Sequence, residues 1–212
     1  MPYEVEQKFP VSNMPALQER LSALGATIGE THVEADLYFA HPARDFAQTD
    51  EALRIRRIGG DCPNFCASKN GTVPLGTTAP KSFITYKGPK IDATTKTRLE
   101  IDLPLPDGEE SSNNWRSLLE ALGFEPVGEV LKRRRKARIL WQNQAIECSL
   151  DDVQGLGEFC ELELITNFAD LEPAKACIAA LAEKLDLKQS ERRSYLELLL
   201  ETASGQRKPA ES

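Results

Sequence analysis

Segment after segment of this chain alternates an apolar residue with a charged one, and the charges are of both signs. Successive side chains of a β-strand point to opposite faces, so in Tyr3-Glu4-Val5-Glu6-Gln7-Lys8-Phe9 the residues Tyr3, Val5 and Phe9 share one face, and Glu4, Glu6 and Lys8 the other. Residues 52–58 carry Arg54 and Arg56 opposite Leu53 and Ile55, and residues 82–87 end on Lys87. Residues 95–103 alternate Arg98, Glu100 and Asp102 with Leu99, Ile101 and Leu103. Lys132 and Arg134 lie in a strand over 127–140 and Asp151 in one over 145–153, while Glu161 and Glu163 alternate with Leu162 and Leu164 over 158–165. One such strand is the solvated face of an ordinary sheet. Repetition over so many strands admits a second architecture, a closed barrel whose apolar faces turn outward against helices and whose charges line the interior.

Between and after the strands the period changes to that of helices. Ser12 is read as the cap of a helix with Leu17, Leu21 and Leu24 on one stripe, closed by Gly25. Residues 111–122 form a second helix that ends at Gly123 and buries Trp115, Leu118, Leu119 and Leu122. Two more are expected over 172–184 and 190–201. A strand is read at 32–40, followed by a polar turn through Pro42 to Asp50. The fold class is therefore α+β, in one domain over residues 1–202, with residues 59–80 as a loop insertion and 203–212 as a polar tail.

Charge and cysteine usage exclude several classes. The formal net charge of −7 argues against a nucleic-acid coat or an anionic membrane surface, so any anion must be bound locally. Lys132 to Lys136 is a basic run, but alternation splits it between two faces. No apolar run approaches the roughly 18 residues of a membrane span, and the first ten residues have no signal core, so a cytoplasmic location is expected. The odd set Cys62, Cys66, Cys148, Cys160 and Cys177 is read as reduced thiols, with Cys62 and Cys66 too poorly supported by other ligands for a zinc site.

Were the charged faces to share one interior, the bases Lys8, Arg54, Arg56, Lys87, Arg98, Lys132 and Arg134 would exceed the acids Glu4, Glu6, Asp151, Glu161 and Glu163. Unmatched buried charge is costly unless a ligand completes the pairing. A triphosphate with a divalent ion would use both signs, arginine and lysine holding phosphoryl oxygens and carboxylates holding Mg or Mn.

Glu4-Val5-Glu6-Gln7-Lys8 resembles the E-x-E-x-K opening of the CYTH family, the triphosphate tunnel metalloenzymes that include class IV adenylate cyclases and thiamine triphosphatases. The resemblance continues through Leu53-Arg54-Ile55-Arg56, Lys87-Gly88-Pro89, Arg98-Leu99-Glu100, Lys132-Arg133-Arg134, Asp151-Asp152, Gly155-Leu156-Gly157-Glu158-Phe159, Glu161-Leu162-Glu163 and Arg193-Ser194-Tyr195. It implies an eight-stranded antiparallel barrel that encloses the phosphates. By position it implies Glu4, Glu6, Glu161 and Glu163 as metal carboxylates, with Mg2+ or Mn2+ as the cofactor. Lys8, Arg54, Arg56, Lys87, Arg98, Lys132, Arg134 and Arg193 are implied as phosphate grips, with Arg192 an equally near alternative to Arg193. Lys8 and Asp151 are the implied catalytic pair. The loop over 59–80 is longer than the family's usual turn.

The resemblance implies a metal-dependent enzyme acting on ATP, tripolyphosphate or thiamine triphosphate. It is most like a class IV adenylate cyclase, with a triphosphatase as the alternative. A non-catalytic polyphosphate-binding module is disfavoured, because two inward acidic pairs would oppose an anion in the absence of metal. No nucleic-acid or membrane partner is expected, and homodimerisation is left open.

Overall fold

A computed structural model describes residues 3–60, 81–89 and 97–205. The loop expected over 59–80 falls almost wholly outside these residues, as do Cys62, Cys66 and the end of the tail.

Eight strands close into one barrel: β1 (Tyr3–Pro10), β2 (Thr27–Ala40), β3 (Ala52–Gly60), β4 (Lys81–Lys87), β5 (Arg98–Leu105), β6 (Glu125–Trp141), β7 (Gln144–Val153) and β8 (Gly157–Thr166). Around the ring the order is β1-β5-β4-β3-β2-β6-β7-β8, so β2 stands opposite β1, four strands away in either direction. Every pairing is antiparallel. The seam between β1 and β5 is short, with only Tyr3 opposite Leu99 and Glu4 opposite Arg98. The strand expected over 32–40 begins earlier, at Thr27, with an irregularity between Ile28 and Thr31 that accommodates the Gly29-Glu30 interruption of its pattern.

Among the described residues the α-helices are α1 (Met14–Ala23), α2 (Phe46–Thr49), α3 (Glu109–Ala121), α4 (Leu171–Lys184) and α5 (Tyr195–Gly205). The cap of α1 is Asn13 rather than Ser12, its side chain accepting from the Ala16 amide at 3.1 Å. The short α2 lies inside the turn between β2 and β3, where Asp45 accepts from the Ala47 and Gln48 amides. Between β7 and β8 the chain reverses through Gly155 and Gly157, with φ of 82° and 96°, values that side chains with a Cβ rarely adopt.

The main apolar core lies outside the barrel wall. Val5 and Phe9 of β1, Ile146, Cys148 and Leu150 of β7, and Cys160, Leu162 and Leu164 of β8 pack beneath Leu17 and Leu21 of α1 and Ile178 and Leu181 of α4. Turning these faces outward leaves the opposite faces of the same strands to the interior, as the period of two requires. The α3 stripe is narrower than expected. Of that stripe only Leu119 is buried, against Phe39, Ile55 and Leu105, while Leu118 and Leu122 stay exposed.

Candidate active site

The barrel encloses a cavity of about 840 Å³ that runs from the charged strand faces to a mouth formed by residues 39–52, α2 and the start of α5. Lys8, Arg54, Arg56, Lys87, Arg98, Lys132 and Arg134 all line it, together with Glu4, Glu6, Glu161 and Glu163. The inward option left open by the alternation is thus the one the chain adopts.

On one wall Glu4 and Glu6 of β1 meet Glu163 of β8, and each offers a carboxylate oxygen within 4.8 Å of the others. The register sets this up, since Glu6 stands directly opposite Glu163. Burial pushes the Glu4 carboxyl well above its ordinary range, reinforced by Glu100 and Glu163 and opposed by Lys87. Burial, with Glu161 and Glu6 nearby, pushes Glu163 up to about 7 despite Arg134 and Lys87. Three converging hard oxygens, two of them destabilised as anions, are a donor set suited to Mg or Mn. Lys87 bridges Glu4 at 3.3 Å and Glu100 at 2.6 Å. Burial works against an ionised Glu100, but Lys87 and Arg54 help bring it down to about 2. Glu161 is not drawn into the cluster; its carboxylate accepts from Arg134 at 2.5 Å.

On the opposite wall two carboxylates outside the expected set organise the bases. Asp36 of β2 accepts from Arg56 Nε at 2.6 Å and from Arg56 NH2 at 2.7 Å. It also takes Lys132 Nζ at 2.8 Å and Arg54 NH1 at 3.3 Å. Glu34 lies 2.9 Å from Lys132 and 3.2 Å from Arg56. Burial alone would raise both carboxyls, but the neighbouring cations hold them far below the ordinary range. Arg54 Nε and Arg98 Nε are buried without a hydrogen-bond partner among the described residues.

Asp151 accepts from Arg134 Nε at 2.7 Å, Arg134 NH2 at 2.6 Å and the Tyr195 hydroxyl at 2.8 Å. It does not itself line the cavity. Lys8, 1% exposed, donates to the Arg193 carbonyl at 2.5 Å and sits 4.0 Å from the Tyr195 ring centroid. The Arg193 side chain is not brought to the tunnel. It is half exposed and pairs with Glu191 and Glu201, whereas Arg192 lines the cavity.

The expected surplus of positive charge is offset. Asp36, Glu100 and Asp102 also line the cavity, with Glu34 beside Asp36 on β2, so among the described residues seven lining carboxylates of the strand faces stand with the seven expected cations, and Arg192 and Lys136 line it besides, Lys136 pairing with Glu147. Their signal was present in sequence, as Glu34, Asp36 and Tyr38 alternate with Val33, Ala35 and Leu37, and Glu100 and Asp102 follow Arg98 at the same spacing.

The chain is similar over nearly its whole length to proteins with this architecture. The model of the CYTH domain matches residues 2–195. "Putative adenylate cyclase MJ0240" of Methanocaldococcus jannaschii is 35% identical over 198 residues, which cover 92% of this chain and 97% of that protein. "Adenylate cyclase CyaB" of Aeromonas hydrophila is 27% identical over 197 residues, covering 91% of this chain and 86% of that protein. Among solved structures, the PH1819 protein of Pyrococcus horikoshii OT3 superposes with a TM-score of 0.75 at 36% identity, covering 94% of this chain and 99% of that one. The closed barrel, its inward charges and these matches together place the chain in the CYTH family.

Proposed function

We propose that the barrel is a divalent-metal-dependent enzyme acting on a triphosphate held inside it, and that its reaction is the conversion of ATP to cyclic AMP and pyrophosphate. The observation that carries this reading is one cavity in which the carboxylates of Glu4, Glu6 and Glu163 face a set of arginines and lysines with unused guanidinium N–H groups. The adenylate cyclase names of the two relatives favour cyclisation among triphosphate reactions.

In cyclisation the ribose 3′ oxygen attacks the α-phosphorus and passes its proton to solvent water, the bond from that phosphorus to the bridging oxygen breaks, and pyrophosphate departs with the bond's electron pair. A divalent ion, when bound by Glu4, Glu6 and Glu163, supplies neutralisation of the charge on the phosphates. Arg54, Arg56, Arg98 and Lys132 bind phosphoryl oxygens and fix the chain of phosphates along the tunnel. Lys8 adds a buried positive charge at the end nearest Tyr195, and Asp151 holds Arg134 in orientation from behind the wall. The wider mouth, with His41, Phe46, Val127 and Leu196 in its lining, gives apolar surface for the nucleoside. A cavity of about 840 Å³ also lies within the usual size range of small-molecule sites.

The test is incubation of the purified protein with ATP, tripolyphosphate and thiamine triphosphate, in Mg or Mn, with chromatographic resolution of products. Cyclic AMP with pyrophosphate is expected. Orthophosphate without cyclic AMP would make the protein a triphosphatase, and the absence of turnover on all three would overturn the enzymatic reading.

A further inference from the structure

Asp36 and Glu34 stand apart from the metal cluster. They project from β2, which lies opposite β1 in the ring, and the arginines and lysine they touch are all assigned to phosphate, with the His32 ring at 3.0 Å from Glu34 besides. Asp36 is 1% exposed and is held between β3 and β6, which flank β2 through unbroken pairing at this point. Its short side chain leaves it little freedom to withdraw when a ligand enters.

We propose that Asp36, backed by Glu34, is a positioning and charge-selecting residue that makes the tunnel prefer a triphosphate as its divalent-metal complex over the free polyanion. The inference rests on the triphosphate reading above. Two consequences of the geometry support it. First, the two-pronged contact to Arg56 and the contacts to Lys132 and Arg54 fix the three cations as a fan while leaving Arg54 Nε unused. Second, the fixed carboxylates cancel part of the charge that would otherwise draw any polyanion into the barrel. Asp36 and Glu34 offset two of the four cations they contact, Arg54, Arg56, Lys132 and Arg134, so a free triphosphate of charge about −4 is drawn in less strongly than four uncompensated cations would draw it. A divalent ion compensates by reducing the ligand's charge and satisfying the cluster of Glu4, Glu6 and Glu163 together. A carboxylate that only satisfied buried cations would stabilise the fold without setting metal dependence.

The experiment is calorimetric titration of the full-length wild type and Asp36→Asn with inorganic tripolyphosphate in EDTA, where no metal-dependent turnover intervenes. Thermal-shift measurements of the same ligand in EDTA and in Mg accompany it. The wild type is expected to bind at least tenfold more weakly in EDTA than in Mg, and Asp36→Asn to gain at least tenfold in EDTA. Glu34→Gln, which leaves the Asp36 contacts in place, is expected to move in the same direction and serves should Asp36→Asn fail to fold. Metal-free binding that is unchanged or weaker in folded variants would make Asp36 purely structural and overturn the proposal. So would wild-type binding that is as tight in EDTA as in Mg. Absence of wild-type binding under both conditions would instead bring down the triphosphate reading, and this inference with it.

Discussion

Arg134 grips Asp151 with two parallel contacts, Nε to Oδ1 at 2.7 Å and NH2 to Oδ2 at 2.6 Å, and the register makes them directly opposed partners on β6 and β7. The same guanidinium reaches Glu161, and the Tyr195 hydroxyl completes the shell of Asp151. A carboxylate so fully engaged orients the arginine and ties Tyr195 of α5 to the barrel wall. Asp151→Asn leaves the Arg134 charge poorly compensated in the interior, and a loss of about 3–5 kcal/mol is expected, the range for breaking a buried pair. Denaturant titration measures it, and a loss below about 1 kcal/mol would show that the pair is dispensable.

Replacing Glu4 and Glu6 by glutamine removes two of the three converging carboxylates while keeping their volume. Metal-dependent turnover is expected to disappear, with anion binding intact or tighter, since two ionisable carboxyls leave the tunnel. Turnover that continues unchanged would exclude these residues from the metal site.

Arg54 and Lys87 line the cavity from adjacent strands. Arg54→Ala or Lys87→Ala is expected to weaken triphosphate binding in Mg by about 1.5–3 kcal/mol each, the range for hydrogen bonds to charged groups. Titration calorimetry decides the matter, and no loss in either variant would remove those two side chains from the binding surface.

Acid stability reports on the β2 carboxylates. Glu34 and Asp36 are held below the ordinary carboxylate range, so near and below pH 4 the unfolded chain binds protons that the folded protein does not. Their stabilisation is complete above about pH 4 and is lost as the pH falls from there toward their folded values. The melting temperature of the wild type is therefore expected to fall steeply below about pH 4, and that of Glu34→Gln to fall less steeply. Parallel acid limbs for the two proteins would contradict the contribution of Glu34.

Much of the barrel was legible because a period of two is a local property. Val5 and Phe9 must face away from Glu4, Glu6 and Lys8 whatever the rest of the chain does, and the same holds for Leu162 against Glu161 and Glu163. The helices were legible in the same way, although the burial of α3 was overestimated. Its four apolar side chains are a local fact, whereas the surface offered to them, burying only Leu119, comes from Phe39, Ile55 and Leu105 on three separate strands.

What the sequence determined by itself is which residues share a face, and hence that seven bases and at least five acids could be collected in one place. Tertiary structure decided which of them meet. Ring closure puts Glu6 across from Glu163 but gives Glu161 to Arg134, and it sets Asp36 among Arg54, Arg56 and Lys132, up to 96 positions away in the chain. It also turns Arg193 outward and Arg192 toward the cavity. The physical reason is that alternation specifies direction relative to a strand's own pleat, whereas the sign of the charge opposite depends on register and strand order, which only the closed set of backbone hydrogen bonds fixes.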